Sequence, residues 1–390
     1  MSEYVVKQSI ADLMANKSPV LRKLDIELTE RCNNNCIHCY INQPANDRAV
    51  KNRELTTETL KHHITEAAAL GCMTLRLTGG EPLLRHDLPE LYRHARSLGI
   101  AVALCTNATL ITPALADLFQ STPPGAPVEI TLYGINKDNY EVISNLPGSY
   151  KAAMAGIQFL RERDIAFTLK GCYIREHFPD HMAMAAFEQV TAELTGSGQP
   201  PGFSMNFDLR ARRMPEKKNE MIRSLRATPA ETLMILTRDN QAFIKEMKQF
   251  AAKFMRPPGS RLFSCGAGKN GAIDAYGMLQ PCLMMRHPDM VYDLSRGTLK
   301  DGMTRFFPAL RKKEATNPDY LARCARCFLH GLCEQCPAKS WMEHGTLDTP
   351  VEYLCAVAHE KGRYLGLLHP GETAWTINDW QQRLDAFSTE

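Results

Sequence analysis

The sequence predicts an α/β protein: a parallel sheet, curved into a partial barrel or open and doubly wound, followed by a small cysteine-rich module. Three observations carry this. Between residues 23 and 210, short runs of two-residue alternation take turns with stretches of helical period. Beyond residues 257–260 (ProProGlySer) the chain turns to short strands, turns and cysteines, as a metal-stapled module does. The thirteen cysteines are uneven, with Cys32, Cys36 and Cys39 early and seven from Cys265 to Cys355 late.

Taken in order, residues 23–28 alternate with period two and stop at the first cysteines. Residues 56–70 read as a helix, with Thr57 as cap and Leu60, Ile64, Ala67 and Ala68 as its apolar stripe. Residues 74–78 are a strand ending at Gly79-Gly80, 87–98 a helix stopped by Gly99, 101–105 a strand and 113–119 a short helix. Strands at 128–133, 166–173 and 203–209 alternate with helices at 148–163 and 181–194, six strands in all. Residues 195–202 are a loop, and 228–254 read as one long helix starting at Thr228 or Pro229. The predicted organisation is an extension at 1–22, a sheet domain at 23–227, a linking helix at 228–260, a cysteine module at 261–360 and a tail at 361–390.

With 390 residues, 44% of them hydrophobic and 23% charged, the composition excludes a mostly disordered chain. No apolar run reaches the ~18 residues of a membrane span. The first twenty residues lack the apolar core of a secretory signal. A net charge of +3 is too small to imply nucleic acid. With no signal, cysteines read as metal ligands rather than disulfides, and the expected compartment is the cytoplasm.

Cys32-x3-Cys36-x2-Cys39 directly follows a strand. Three thiolates this close can wrap one iron–sulfur cluster with an iron left open, or one zinc completed by His38. Gly79-Gly80-Glu81-Pro82 ends the second strand, where ligands sit in parallel sheets; paired glycines admit close backbone approach and Glu81 can accept from an ammonium. Late in the chain, Cys324-x2-Cys327-x5-Cys333-x2-Cys336 alone would also suit a zinc knuckle. Cys72, Cys105 and Cys172 read as buried inert thiols.

Together, CxxxCxxC after the first strand and GGEP after the second resemble the paired signature of the radical SAM superfamily. The late array, Cys265-x11-Gly277-x4-Cys282, the four cysteines at 324–336 and Cys355, resembles that superfamily's SPASM extension. The resemblance implies a partial (β/α)6 barrel whose Cys32, Cys36 and Cys39 hold a [4Fe–4S] cluster with an open iron. S-adenosylmethionine would chelate that iron, with Gly79, Gly80 and Glu81 at its amino group and His38 and Tyr40 flanking the adenine. Thr106, Asn107 and Thr131 match ribose-contacting positions. Lys170 and Arg210 are candidates for the methionine carboxylate, or else solvated surface charges. Two auxiliary iron–sulfur clusters are implied: a distal one on Cys324, Cys327, Cys333 and Cys355, and a proximal one on Cys265, Cys282 and Cys336. Gly271 stands where many relatives carry a further cysteine of the proximal set.

The implied chemistry is reductive cleavage of S-adenosylmethionine to a 5′-deoxyadenosyl radical, which abstracts hydrogen from a substrate. Segments 131–134, 139–150 and 203–213 resemble the peptide-maturase branch, so the expected substrate is a ribosomally made peptide undergoing crosslinking or oxidation; the alternative is a porphyrin in haem biosynthesis or another small molecule. Leu283 follows Cys282 where sulfatase-maturing enzymes carry an aspartate, which argues against that activity. The expected partners are a flavodoxin- or ferredoxin-type electron donor and a separate leader-binding protein, with no nucleic acid and no membrane. The basic stretch Arg210, Arg212, Arg213, Lys217 and Lys218 would dock an acidic leader or form a solvated face. No catalytic acid or base is assigned; Asp274 and Tyr276, between two of the cysteines, are candidates.

Overall fold

The computed structural model describes residues 20–41, 43–198, 201–210 and 212–389. Residues 1–19 of the extension expected at 1–22, and part of the loop at 195–202, lie outside them. The chain forms two compact units, one up to Leu225 together with Ala267–Pro308, the other Arg226–Gly266 with Ala309–Glu390.

The first unit is built on a nine-stranded sheet. Its strands are β1 (Lys23–Thr29), β2 (Thr74–Gly79), β3 (Ala101–Thr106), β4 (Val128–Leu132), β5 (Phe167–Cys172), β6 (Gly202–Ser204), β7 (Gly271–Ile273), β8 (Met278–Gln280) and β9 (Tyr292–Asp293). The order is β9-β8-β7-β1-β2-β3-β4-β5-β6. The run β1 to β6 is parallel throughout, with Ile26 opposite Leu77 and Leu77 opposite Leu104. Between these strands lie helices α1 (Thr57–Ala69), α2 (Leu88–Ser97), α3 (Pro113–Ser121), α4 (Lys137–Ser144), α5 (Ser149–Arg161) and α6 (His181–Thr195), with α7 (Pro215–Leu225) following.

One sheet face is apolar and closed: Leu24, Ile26, Leu75, Leu77, Val102, Leu104, Val128 and Ile130 are buried. Leu60 and Ile64 of α1 and Leu91 and Ala95 of α2 supply the matching helical surface. Each such Leu, Ile or Val side chain contributes roughly 1.5–3 kcal/mol of transfer free energy. The other face is polar and carries Asp25, Arg76, Cys105, Glu129, Thr131 and Lys170.

Several elements depart from the sequence reading. Thr56, not Thr57, caps α1, accepting from the Thr59 N–H at 3.2 Å; the Thr57 hydroxyl donates to Asp87 at 2.6 Å. The sixth strand is only three residues, because the chain leaves the sheet and sets Phe207 against His38, ring centroids 4.9 Å apart. The expected long helix is two, α8 (Pro229–Leu236) and α9 (Asn240–Phe254). Thr228 and Glu231 form a capping box on α8, while the Asp239 side chain accepts from the Ala242 N–H at 3.0 Å and starts α9 afresh.

The larger correction concerns residues 267–308, placed by sequence in the cysteine module. β7 pairs in parallel with β1, Leu24 opposite Gly271 and Ile26 opposite Ile273, and β8 returns antiparallel, so this segment extends the barrel sheet. Asp274 accepts from the N–H groups of Tyr276 and Met278, both at 2.9 Å, and Gly277 turns the hairpin at φ 89°. Asp274 is thus a turn residue rather than a free acid or base.

In the second unit, which also holds α10 (Pro337–His344), the helices α8, α9, α11 (Glu352–Tyr364) and α12 (Trp380–Thr389) contribute to a core with Phe328, Leu329, Phe243, Leu367, Leu368 and Ala374. Residues 361–390 are therefore no tail: Trp375, Ile377, Trp380 and Phe387 pack onto this core.

Candidate functional site

The first cysteine loop leaves the carboxyl end of β1 and is anchored at both ends. Residues 31–32 pair with 43–44, and the Arg31 guanidinium donates to Glu54 at 2.7 and 3.1 Å and to the Ala45 carbonyl at 2.9 Å. Within the loop, the Asn35 and Ile37 N–H groups bond the carbonyls of Ser144 and Ile143 at 3.0 and 2.9 Å. Lys218 Nζ donates to the Cys36 carbonyl at 2.9 Å, and the Arg212 N–H to the Tyr40 carbonyl at 2.9 Å.

Cys36 is buried, Cys32 and Cys39 half-buried. Burial, then the nearby Glu81 charge and the neighbouring thiols, push the Cys32 thiol far above its ordinary range; burial does the same for Cys36. Hydrogen-bond donors nevertheless face these sulfurs. Cys32 accepts from the Asn34 N–H and Cys36 from the Tyr133 hydroxyl, while Asn107 Nδ2 stands 3.8 Å from the Cys32 sulfur. Such thiols lose their protons on binding metal, and those donors then stabilise thiolate.

The glycine pair is required by close backbone approach. Gly79 has φ 137°, and a Cβ there would lie 2.2 Å from the Thr29 carbonyl oxygen; at Gly80 it would lie 2.2 Å from that of Arg31. The Gly80 and Glu81 N–H groups bond those same carbonyls at 2.7 and 2.8 Å, so the end of β2 lies directly on the entry to the cysteine loop. Glu81 is fully buried. Its carboxylate accepts from Thr106 Oγ1 and the Asn107 N–H, both at 2.8 Å, and from the Leu83 N–H at 3.1 Å. Burial pushes its carboxyl up to about 7 against these bonds. Asn107 continues the network to Asn33 Oδ1 at 3.0 Å, and Asn33 Nδ2 donates to Thr109 at 2.7 Å.

His38 is enclosed by Phe207 and Tyr133, and its Nε2 lies 3.6 Å from the Cys172 sulfur. Burial pushes its pKa down to about 4, so the imidazole is neutral. Cys172 therefore borders the cysteine loop, whereas the Cys72 thiol donates to the Thr74 carbonyl at 3.2 Å. The Arg210 guanidinium lies 4.0 Å over the Tyr40 ring and also donates to the Leu283 carbonyl. Arg212 bonds Glu30 at 2.7 Å. Within the basic stretch, Arg210, Arg212 and Lys218 hold the cysteine loop, while Arg213 and Lys217 are exposed. Lys170 is not brought to the loop either. It pairs with Glu129 at 2.5 Å on the polar sheet face, in register with half-buried Thr131.

Beside the loop, Glu27, Glu30 and Asp274 face Arg286, which bonds Glu27, lies 3.2 Å from Glu30 and 3.6 Å from Asp274. Tyr276 donates to Glu30 at 2.8 Å. Glu27, Glu30 and Arg286 and the anchors Arg31, Glu54, Asn33, Thr109 and Tyr133 escaped sequence reading, because no spacing rule links such distant positions; Lys218, Asp274 and Tyr276 are singled out in the sequence, but not for these contacts.

In the second unit, Cys324, Cys327, Cys333 and Cys355 line one pocket, bordered also by His330 and His359. Cys327 accepts from the Leu329 N–H and Cys333 from the Gln335 N–H, while burial raises both thiols. Cys265 is exposed and its carbonyl accepts from Arg311 at 2.9 Å; Cys336 caps α10; Cys282 follows β8 in the first unit. Gly271 does not face a metal site. Its Cβ would meet Leu279, Met303 and Leu24 at 3.0, 3.4 and 3.6 Å. Among the described residues, the only three His, Cys, Asp or Glu ligand atoms within 4.8 Å of one another belong to His62, His63 and Glu66.

Three thiols at the carboxyl end of a first parallel strand, met by a glycine pair and a buried glutamate from the second, define a cofactor-dependent α/β barrel enzyme. Residues 26–187 match the family model of the radical SAM superfamily. Those residues form a radical SAM domain and the later part of the chain is cysteine-rich, and a radical SAM domain implies a [4Fe–4S] cluster and S-adenosylmethionine.

It is 36% identical over 143 residues to an AdoMet-dependent heme synthase of Methanosarcina barkeri, covering 37% of this chain and 40% of that protein. To an AdoMet-dependent heme synthase of Oleidesulfovibrio alaskensis it is 26% identical over 352 residues, 84% of this chain and 86% of the relative. To a PqqA peptide cyclase of Ruegeria pomeroyi it is 35% identical over 156 residues, 40% of this chain and 40% of the relative. In fold it is similar to Streptococcus suis SuiB bound to precursor peptide SuiA, with TM-score 0.61, 15% identity, and coverage of 89% of this chain and 78% of that one. It is likewise similar to anSMEcpe bound to AdoMet and the Cp18Cys peptide, with TM-score 0.59, 14% identity, and coverage of 95% and 99%. Among the described residues no helix is long and apolar enough to cross a membrane.

Proposed function

We propose that Cys32, Cys36 and Cys39 hold a [4Fe–4S] cluster and that the chain modifies a ribosomally made peptide, by a crosslink or an oxidation begun by hydrogen abstraction. When bound, the cluster and S-adenosylmethionine supply reductive cleavage to a 5′-deoxyadenosyl radical. The observation that carries this is the meeting of the thiol loop with Gly79, Gly80 and buried Glu81. Glu81 accepts the ammonium of the cofactor, which draws its carboxyl back to the charged form. Tyr133 and Asn107 direct donors at the Cys36 and Cys32 sulfurs, and neutral His38 with Tyr40 offers flat faces to the adenine. Thr106, Asn107 and Thr131 are the ribose candidates.

Cys324, Cys327, Cys333 and Cys355 hold a distal auxiliary cluster, and Cys265, Cys282 and Cys336 a proximal one. A flavodoxin- or ferredoxin-type donor supplies the electron, a separate protein presents the peptide leader, and the reducing cytoplasm keeps the thiols available. The peptide reading draws on the whole-chain likeness to SuiB and on the PqqA cyclase relative. A second reading, a porphyrin substrate, is favoured by the alignment along 84% of the chain to a heme synthase, where the PqqA cyclase match covers 40%.

The test is anaerobic reconstitution, then reduction with S-adenosylmethionine. 5′-Deoxyadenosine should form, and should vanish in C32A/C36A/C39A while the auxiliary iron remains. Adding peptides encoded beside the gene should speed its formation; if iron porphyrins do so instead, the second reading holds. Stoichiometric zinc with little iron would overturn both.

A further inference from the structure

The four thiols of the second-unit cavity are served unequally. Cys327 and Cys333 each receive a backbone N–H from two residues ahead. Cys355 lies inside α11 and receives side chains instead. Arg323 Nη2 stands 4.0 Å from its sulfur, at the outer reach of an N–H···S contact.

That guanidinium is held from every side. Glu352 accepts from it at 2.7 and 2.9 Å in a two-pronged contact, Asp319 lies 3.2 Å away, and the Trp375 ring lies 4.8 Å beneath. Its aim is therefore built, since a planar fork clamped by a carboxylate and stacked on an indole has little rotamer freedom left. Because Arg323 immediately precedes Cys324, one cation also acts on Cys324 and Cys327 as well as Cys355.

His359 does a different job. Its Nε2 accepts the Ala374 N–H at 3.1 Å, so the proton sits on Nδ1, which bonds the Cys355 carbonyl at 2.9 Å and passes the sulfur at 3.5 Å. It fixes backbone, whereas Arg323 brings charge.

The reduction potential of an iron–sulfur cluster follows its net charge and the hydrogen bonds to its sulfurs. We propose that Arg323 is a positioning residue that raises the reduction potential of the cluster held by Cys324, Cys327, Cys333 and Cys355, with Glu352 and Trp375 setting its aim. The inference rests on the auxiliary-cluster reading above. Reduction adds one electron from the external donor to the cluster, and a fixed cation beside the sulfur stabilises that extra negative charge. Glu352, largely exposed on its far side, partly offsets the cation.

The experiment is an anaerobic redox titration of the reconstituted full chain, followed by electron paramagnetic resonance in the C32A/C36A/C39A background. The distal signal is the one altered by Cys355→Ser. Its absence from the parent protein would mean that the auxiliary-cluster reading has failed. If it is present, Arg323→Gln should lower its potential by at least a tenfold change in the reduction equilibrium, 59 mV for one electron. Arg323→Lys should recover part of the shift, and Glu352→Gln should raise the potential. Opposite signs distinguish electrostatic tuning from simple loosening of the cavity. No shift in either variant, or shifts in the same direction, would overturn the proposal. Glu352→Gln alters an exposed side chain, so its upward shift is measurable even if the Arg323 variants do not fold.

Discussion

The buried carboxylate of Glu81 accepts the Asn107 backbone N–H at 2.8 Å, which locks the end of β2 to the end of β3. Glu81→Ala strands this donor and those of Thr106 and Leu83, at roughly 1–3 kcal/mol for each buried group left unsatisfied. Denaturant midpoints measured anaerobically should fall accordingly. The same residue gives a pH signature. Burial raises its folded-state value to about 7 from 4.5, so its contribution to stability is complete below the lower value and is lost as pH rises through the upper one. Without S-adenosylmethionine, Glu81→Gln should flatten the decline of stability across that window; an unchanged slope would mean the carboxyl is not held protonated.

Gly271→Cys should not complete the proximal auxiliary set. Its side chain would press on Leu279 at 3.0 Å and on Met303 at 3.4 Å, inside the packing between β7, β8 and β1. We expect a loss of about 1–3 kcal/mol from overpacking, with iron content unchanged. A gain of iron at that site would refute the placement.

Arg286 and Glu27 form a buried pair beside the cysteine loop. Arg286→Met leaves Glu27 uncompensated and should cost about 3–5 kcal/mol. Adding Glu27→Gln should restore part of that, but not all, because Arg286 also serves Glu30 and Asp274. A double-mutant cycle with no coupling energy would show that the pair does not act as a unit.

Lys170→Gln breaks a half-exposed pair with Glu129. The expected cost is ~0–1 kcal/mol, with no change in KM for S-adenosylmethionine. A tenfold rise in KM would return Lys170 to the cofactor site.

These residues also mark how far sequence reading reaches. The strands from β1 to β5 were legible because polar and apolar residues alternate over five to seven positions, as in 128–132. The thiol loop and the glycine pair were legible because their chemistry is written in local spacing. What failed was short or non-local. Three residues of β7 carry no periodic signal, and their partner is β1, most of the chain away. Arg31 with Glu54, and Arg286 with Glu27, are pairings that only the folded chain creates. Reading residues 228–254 as one helix passes over the break between α8 and α9, where Asp239 caps the second helix.

The pairing of β7 with β1 bears on how the protein is made. While the chain emerges from the ribosome, β1 has one finished edge, against β2, and one bare edge holding Leu24 and Ile26 until residues 271–273 are synthesised. Closing that edge is a high-contact-order event, intrinsically slow and exposed to strand-to-strand aggregation. A truncation after residue 260, attractive as a minimal radical SAM domain, would leave the edge bare for good. Such a fragment should precipitate or form oligomers, and expression of this enzyme should be limited by late sheet closure as much as by iron supply.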